Sequence, residues 1–400
     1  MKNIANIYKR KYTCDFLLGV KRIMFIPYGR QSISEEDIQA VVEVLRSDYL
    51  TTGPKVAEFE QKVADYVGAK YAVAVSNGTA ALHIACLAAG IGPGDEVITT
   101  PITFAASANC VLYCGGTPVF ADIKSDTYNI DPADIEKKIT EKTKAIIPVH
   151  YTGQPCEMDA IHKIAKEHNL LVIEDGAQVI SAEYKGQKIG ALSDMTTFSF
   201  HPVKPVTTGE GGMVTTNDEE LYKKLKLFHT HGITRESDLL INNDGPWYYE
   251  QQELGYNYRI TDIQCALGIS QMNRLDQFAA HRRALAKRYD ELLKGVDGIT
   301  IPYQHPDCLS SYHLYMIQVP ANRRKEIFCR LREAGIGVNV HYIPVYKLPY
   351  YQEHGYKDVC CKNAEEFYAG AITLPLYADM TVEQVEYVVK KLIGIITIAD

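Results

Sequence analysis

Leu170-Leu171-Val172-Ile173-Glu174-Asp175-Gly176-Ala177-Gln178 opens the stretch on which the reading of this chain turns. Its leading apolar run predicts a buried strand, and Glu174 and Asp175 close that strand at the end where open α/β sheets place their ligands. The chain then crosses to Thr196-Thr197-Phe198-Ser199-Phe200-His201, which alternates as a second strand does. It continues through Pro202-Val203-Lys204-Pro205 into Thr207-Thr208-Gly209-Glu210-Gly211-Gly212. Each proline fixes its own φ and restricts the residue before it, so Lys204 has little backbone freedom. A lysine held in this way reads as a positioned amine. Most lysines are solvated and most strand-end aspartates are turn residues, so neither residue carries the reading alone. With Ser199 just upstream and the glycines just downstream, the pair does.

An amine that forms a Schiff base with an aldehyde, a carboxylate that keeps a pyridine nitrogen protonated, and groups that hold a phosphate are the parts of pyridoxal phosphate (PLP) catalysis. Earlier in the chain, Tyr71 to Val75 reads as a strand, and Ser76-Asn77-Gly78-Thr79-Ala80 opens a helix. Free N–H groups and the helix dipole at such a turn both face an anion. An ordinary capped helix start fits the same residues equally well. Gly90-Ile91-Gly92-Pro93-Gly94 follows a helix and precedes the strand at Glu96 to Thr99, the wrong order for a dinucleotide fingerprint, so it reads as a loop.

Working outward, Ser34 caps a predicted amphipathic helix through Ile38, Val41, Val42 and Leu45, and a second helix runs from Val56 to Val67. Pro118 to Ala121 and Ala145 to Val149 read as strands, alternating with helices over Ala133 to Ile139 and Met158 to His168. Repeating units of this kind predict a mostly parallel sheet covered on both faces. A strand over Met213 to Thr216 and a helix to Phe228 follow. Thr230 to Gln252 reads as a long polar loop. A long helix with breaks runs from Asp262 through Arg282 and Tyr289 toward a smaller domain, which the helix from Thr381 to Ile393 closes. The expected division is an N-terminal extension over 1–25, a large domain over 26–270 and a small C-terminal domain over 271–400.

The 400 residues, 46% hydrophobic and 23% charged, suit a globular enzyme with ample core. A net charge of −7 argues against nucleic acid as a main partner and leaves room for an anionic substrate at a local basic patch. The ten cysteines include Cys110, Cys114 and Cys360-Cys361 without paired zinc spacing, so they read as reduced thiols in a cytoplasm, with no metal site expected. No apolar run reaches the roughly 18 residues that cross a bilayer, and no membrane partner is expected. Lys2, Lys9, Arg10, Lys11, Lys21 and Arg22 surround Phe16-Leu17-Leu18-Gly19-Val20, a piece too short for a signal-peptide core. An extension, or an upstream start in place of Met24, is expected there; an intact mass that includes Met1 to Arg22 rules out the second.

Ser199-Phe200-His201-Pro202-Val203-Lys204-Pro205, followed by Gly209-Glu210-Gly211-Gly212, resembles the lysine segment of the DegT/DnrJ/EryC1/StrS sugar aminotransferases. The resemblance runs from about Ile26 to the C-terminus. It implies an α/β protein of PLP-dependent transferase fold type I, aspartate aminotransferase-like, with PLP as cofactor and its pyridoxamine form in the half-reaction. It implies Lys204 as the Schiff-base lysine and proton carrier, and Asp175 as the partner of the pyridine nitrogen. Phe104 would stack on the ring, Gln178 would lie against it, and Ser199, Gly78 and Thr79 would contact the phosphate. In the family an asparagine reaches the phosphate of the neighbouring subunit, which carries to Asn257 in Gly255-Tyr256-Asn257-Tyr258-Arg259-Ile260-Thr261-Asp262 and implies a homodimer with shared sites. Arg259 would serve a substrate diphosphate. A core phenylalanine and a structural ion pair remain the alternatives for Phe104 and Arg259.

Ile26-Pro27-Tyr28, Ser47-Asp48-Tyr49-Leu50-Thr51, the run from Thr99 to Asn109 and His341-Tyr342-Ile343-Pro344-Val345-Tyr346 resemble members that aminate a UDP-linked 4-keto-6-deoxy-N-acetylhexosamine for pseudaminic acid synthesis. That resemblance implies L-glutamate as donor. It implies substrate contacts at Tyr28, Asp48, Tyr49, Leu50, Thr51, His341, Tyr342, Ile343 and Pro344. For the histidine and tyrosines an aromatic edge strand is the competing reading. Gln178 stands where many relatives carry histidine, a difference that bears on the substrate more than on the reaction. An aminotransferase for another UDP- or dTDP-linked 4-keto-6-deoxy sugar is the runner-up. Family dehydratases lack the Schiff-base lysine, and a PLP-fold regulatory protein would normally add a DNA-binding segment that is not visible here.

Overall fold

The computed structural model describes residues 25–397; the expected N-terminal extension, and with it the start at Met24, lies outside them apart from Phe25. Seven strands form the main sheet: β1 (Tyr71–Val75), β2 (Glu96–Thr99), β3 (Thr117–Phe120), β4 (Thr143–Ile147), β5 (Leu171–Asp175), β6 (Met195–Ser199) and β7 (Gly212–Thr216). Across the sheet they run in the order β1-β7-β6-β5-β4-β2-β3. All are parallel except β7, which is antiparallel to both β1 and β6.

Side chains alternate between two cores, as a pleated strand buried on both faces requires. Ala145, Ile147 and Ile173 pack with the helix Gly78–Ala88 on one face. Ile146 and Val172 pack with the helix Met158–His168 on the other. Because six strands share a direction, their C-terminal ends lie along one edge. Asp175, Ser199 and the Asn77-Gly78 turn after β1 are therefore neighbours in space although far apart in sequence.

A second core surrounds the antiparallel pair β8 (Tyr315–Gln318) and β9 (Ala371–Leu374), with the helices Leu275–Leu293, Arg324–Glu333 and Val382–Ile396. The described start of the chain joins this second core. Ile26 is fully buried in it and exchanges backbone hydrogen bonds with Gly335 and Gly337. Among the described residues no helix is long and apolar enough to cross a membrane.

One local expectation differs from the structure. The stretch read as a long loop carries a short ladder, Ile233–Thr234 against Glu250–Gln251, and a 3-10 turn at Ser237–Leu239. Strands of two residues are too short to show a period. The long helix expected with breaks after Thr261 has one, at Asn273 and Arg274, between the helices Asp262–Met272 and Leu275–Leu293.

That junction is tied to the N-terminal helix Glu35–Leu45 through one buried carboxylate. Ser34 and Asp37 form a capping box, and Asp37 Oδ2 also accepts from Gln271 Nε2 at 2.6 Å and pairs with Arg274. Removing one partner of a buried charge pair leaves the other uncompensated. Asp37→Ala is therefore expected to lower the unfolding free energy by roughly 3–5 kcal/mol. Lys163→Ala, which breaks an exposed pair with Glu167, should change it by less than about 0.5 kcal/mol. Urea denaturation compares the two, and equal effects would refute the role given to Asp37.

Candidate active site

The turn after β1 meets the end of β6 with no room for side chains. A Cβ on Gly78 would come 2.9 Å from Ser199 Cβ, and one on Gly212 would come 2.3 Å from the Asn77 carbonyl oxygen. Asn77 caps the helix Gly78–Ala88 by accepting from the Ala80 N–H at 2.8 Å. The N–H groups of Gly78 and Thr79 are left without an intrahelical acceptor and point out of the helix. With the Ser199 hydroxyl opposite, the result is a cradle for an anion.

Lys204 follows on a turn pinned by its backbone. Phe200 N–H donates to Gly211 O at 2.9 Å, Thr208 N–H to Phe200 O at 3.0 Å, and Lys204 N–H to His201 O at 2.9 Å. Gly209 closes the turn at φ 83°, a left-handed conformation open to glycine. The Lys204 side chain is partly buried. Desolvation draws its ammonium down from 10.5 to about 8, and the nearby Asp175 carboxylate opposes that shift. The amine is thus poised between its two protonation states near neutral pH.

Asp175 is buried and held at both oxygens. Ser107 Oγ donates to Oδ2 at 2.6 Å and the Ala177 N–H to Oδ1 at 3.1 Å. Thr103 Oγ1 lies 2.7 Å from Ser107 Oγ, so a chain of two hydroxyls supports the carboxylate. Sequence reasoning passed over Thr103 and Ser107. Their only signal is a pair of hydroxyls four residues apart at a helix entrance, a common pattern. On the opposite face of β5, Glu174 meets His150 Nε2 at 2.7 Å, both side chains fully buried. The Cys156 N–H donates to His150 Nδ1, so the ring proton sits on Nε2 and faces Glu174. Burial, the largest single influence, works against a charged Glu174, yet the His150 hydrogen bond together with the His150 and His162 rings and Ser193 keeps the carboxyl below its ordinary range.

Gln178 is buried, and its Nε2 donates to Tyr342 Oη at 3.3 Å. Its Oε1 has no partner among the described residues and is an orphaned acceptor. Phe104 is 65% exposed, with its ring 6.4 Å from that of Tyr342. It is therefore an open aromatic face and not a core residue. The Tyr342 segment is anchored by Tyr151 Oη, which donates to His341 O. The His341 ring sits 5.6 Å from Tyr28, and its Nδ1 lies 2.8 Å from Thr373 Oγ1. Burial, with Lys204 adding, pushes His341 down to about 4, so the ring is neutral. Ile343 is exposed and Pro344 buried beside it. His313, also missed in the sequence, is buried near Lys204 with Nδ1 unpartnered, and burial followed by the Lys204 charge drives it well below its ordinary value.

The segment that carries Asn257 and Arg259 runs beside the turn after β1, where the Ser76 N–H donates to Tyr258 O at 2.8 Å. Asp48, Tyr49, Leu50 and Thr51 form an exposed turn docked on Asp262, which accepts from the Gly53 and Lys55 N–H groups at 2.8 and 2.9 Å. Asn257 is exposed and bridges to Thr230. Arg259 lines a separate cavity of about 790 Å³ with Glu60, Lys226 and His229.

The DegT/DnrJ/EryC1/StrS aminotransferase family model matches residues 31–393. The chain is 44% identical to the spore coat polysaccharide biosynthesis protein SpsC of Bacillus subtilis, across 95% of this chain and 99% of that one. It is 38% identical to the UDP-4-amino-4,6-dideoxy-N-acetyl-beta-L-altrosamine transaminase of Campylobacter jejuni, across 93% and 97%. Helicobacter pylori PseC, an aminotransferase involved in pseudoaminic acid biosynthesis, superposes with a TM-score of 0.87 at 35% identity, covering 93% of this chain and 99% of that one. Streptococcus pneumoniae Spr1654 in its PLP form superposes with a TM-score of 0.87 at 34% identity, covering 93% and 98%.

The site suits PLP on its own evidence: a cradle that any side chain would fill, a desolvated amine, a buried carboxylate and an orphaned acceptor. The chain belongs to the DegT/DnrJ/EryC1/StrS aminotransferase family and is a PLP-dependent sugar aminotransferase of fold type I.

Proposed function

We propose that this chain transfers an amino group from L-glutamate to the 4-keto carbon of UDP-2-acetamido-2,6-dideoxy-β-L-arabino-hex-4-ulose. The product is UDP-4-amino-4,6-dideoxy-N-acetyl-β-L-altrosamine, for pseudaminic acid synthesis. The observation that carries an aminotransferase reading is the Lys204 amine facing a buried Asp175 beside the Gly78 cradle. The substrate label draws support from the likeness to the Campylobacter transaminase and to PseC. A second reading, an aminotransferase for another nucleotide-linked 4-keto sugar, is favoured by the 44% identity to SpsC.

Bound PLP supplies an electron sink for the amino-group transfer. In this reading Lys204 would hold the cofactor through its amine and would carry a proton as general acid–base. Asp175, held by Ser107 and the Ala177 N–H, keeps the pyridine nitrogen protonated. Gly78, Thr79 and Ser199 would hold the phosphate, and Phe104 and Gln178 would contact the ring. Tyr28, His341, Tyr342, Ile343 and Pro344 face the sugar. The neutral His341 and the tyrosines can stack and hydrogen-bond there without adding charge.

Asp48, Tyr49, Leu50, Thr51 and Arg259 take the nucleotide part, and Asn257 serves the cradle of a partner copy in a homodimer. The Asp48–Thr51 turn and Asn257 are exposed, which such sharing needs. Residues 26–270 then form the cofactor domain and 271–400 the smaller domain that walls the substrate side. The cysteines of the described residues are free thiols, in keeping with a cytoplasmic enzyme.

Purified enzyme given L-glutamate and the UDP-4-keto sugar should yield the 4-amino product by mass spectrometry. Lys204→Ala should lower turnover by roughly 10²–10⁴-fold or more. A higher kcat/KM for another nucleotide sugar would select the second reading.

Ser107→Ala removes a hydrogen bond to a charged group, worth about 1.5–3 kcal/mol. It should reduce kcat/KM by about tenfold or more, since each 1.36 kcal/mol is a factor of ten. An unchanged value would show that Asp175 needs no such support.

Only the neutral amine attacks an aldehyde, so PLP uptake by cofactor-free protein should rise with pH and reach its midpoint near about 8. Asp175 raises the Lys204 value, so Asp175→Asn should move that midpoint to lower pH. Reductive trapping at Lys204 across pH measures both, and a midpoint near the ordinary 10.5 would show that burial does not act on this amine.

A further inference from the structure

Both nitrogens of the His341 ring are already engaged inside the chain, which limits what this residue can do for the reaction. Asn339 Nδ2 lies 3.2 Å from Nε2, and Thr373 Oγ1 lies 2.8 Å from Nδ1. The Asn339 amide is oriented by the backbone, because its Oδ1 accepts from the Val340 N–H at 2.9 Å. Its NH2 group therefore faces the ring, and an amide nitrogen only donates. Nε2 is then the acceptor, the ring proton sits on Nδ1, and that proton is donated to the Thr373 hydroxyl. The two partners are tied to each other as well. The Asn339 N–H donates to Thr373 O at 3.2 Å, and the Thr373 N–H donates to Asn339 O at 2.8 Å. Thr373 is buried within β9, so the clasp around the ring is set by the sheet of the second core.

The ring itself is buried between two tyrosines. Tyr28 lies 5.6 Å away at a tilt of 50°, and Tyr342 lies 4.8 Å away, nearly edge-on at 76°. Tyr151 Oη holds the His341 carbonyl from behind. A proton on Nε2 would set one donor against another, the Asn339 NH2 group. Burial, followed by the Lys204 charge, disfavours that proton too and leaves the ring at about 4. The other titratable groups around it, His313, Tyr28 and Tyr342, supply no negative charge at neutral pH to oppose this.

We propose that Asn339 and Thr373 are positioning residues that lock His341 as the neutral Nδ1–H tautomer, and that His341 serves amino-group transfer as a rigid ring bracing Tyr28 and Tyr342. It neither moves a proton nor hydrogen-bonds the substrate through a nitrogen. This rests on the reading that the two tyrosines face the sugar. Hydrogen bonding there falls to the tyrosine hydroxyls: Tyr342 Oη accepts from Gln178 Nε2 at 3.3 Å, which leaves its own proton free to donate. Proton movement stays with Lys204.

The test begins with holoenzyme labelled with 15N-histidine, the His341 signals being assigned by their loss in His341→Phe. Long-range 1H–15N correlations should show a protonated Nδ1 and a bare Nε2 from about pH 8 down to about pH 5. Kinetics use whichever nucleotide-linked 4-keto sugar turns over fastest. His341→Ala should lower kcat/KM for that sugar by about tenfold or more, chiefly through KM. His341→Phe, a ring without nitrogens, should recover most of the loss. Asn339→Asp keeps the bond to the Val340 N–H but turns a charged acceptor toward Nε2. It should bring the ring from about 4 up to roughly 5–7 and add a limb to the pH profile of kcat/KM that falls toward acid in that range. A proton on Nε2 in the wild-type spectrum overturns the lock, and that measurement stands even if His341→Ala does not fold. His341→Phe no better than His341→Ala, or no new limb in Asn339→Asp, overturns the role of a bracing ring. Equal losses in the glutamate and sugar half-reactions overturn its placement on the sugar side. Lack of turnover with the UDP-4-keto sugar alone counts against the substrate label, since neither the spectrum nor the comparison of variants depends on it.

Discussion

A buried carboxylate at the end of a central strand needs partners on every side, and satisfying Asp175 sets much of this molecule. Its oxygens take a serine hydroxyl from the helix Ala106–Tyr113 and an N–H from the turn after β5. Its backbone is bonded to Pro148 and His150 across the sheet. The neighbouring Glu174, on the other face of β5, is satisfied by His150 and Thr196. Two adjacent acids, turned to opposite faces, thus lock one strand end from above and below. Unpaired buried charge would cost several kcal/mol, so neither acid can be lost without rearrangement.

Against that anchored carboxylate the chain sets a lysine that is desolvated but not ion-paired. Burial lowers the Lys204 ammonium and Asp175 partly restores it. The balance leaves an amine able to act as nucleophile and as acid–base group in one pH range, the property transamination asks of it. The second core supplies the other wall. Tyr28 and the His341 segment meet there because Ile26 is hydrogen-bonded to Gly335 and Gly337, so segments far apart in sequence jointly face the site.

The sheet was legible in the sequence because most of its strands are short apolar runs, as strands buried on both faces are. Lys204, Asp175 and Gly78 were legible because two prolines, a strand end and a glycine turn each constrain the backbone locally. Ser107 and His313 were not. A serine inside an apolar helix and a histidine between a tyrosine and a leucine carry no local mark, and their partners are distant in sequence. The short ladder at Ile233–Thr234 escaped for a different reason, since two residues cannot display an alternation.

The sequence by itself determined the element order, the parallel sheet, the constrained lysine and the acid that faces it, because periodicity and backbone restriction act over a few residues. Only the tertiary structure decided which hydroxyls hold Asp175, that Gln178 keeps a free acceptor, and that His341 is neutral. It alone brought the Asn257–Arg259 segment beside the turn after β1 and docked the Asp48–Thr51 turn on Asp262. Those outcomes depend on burial and on contacts across many tens of residues. Desolvation and long-range hydrogen bonding exist only once the chain has folded.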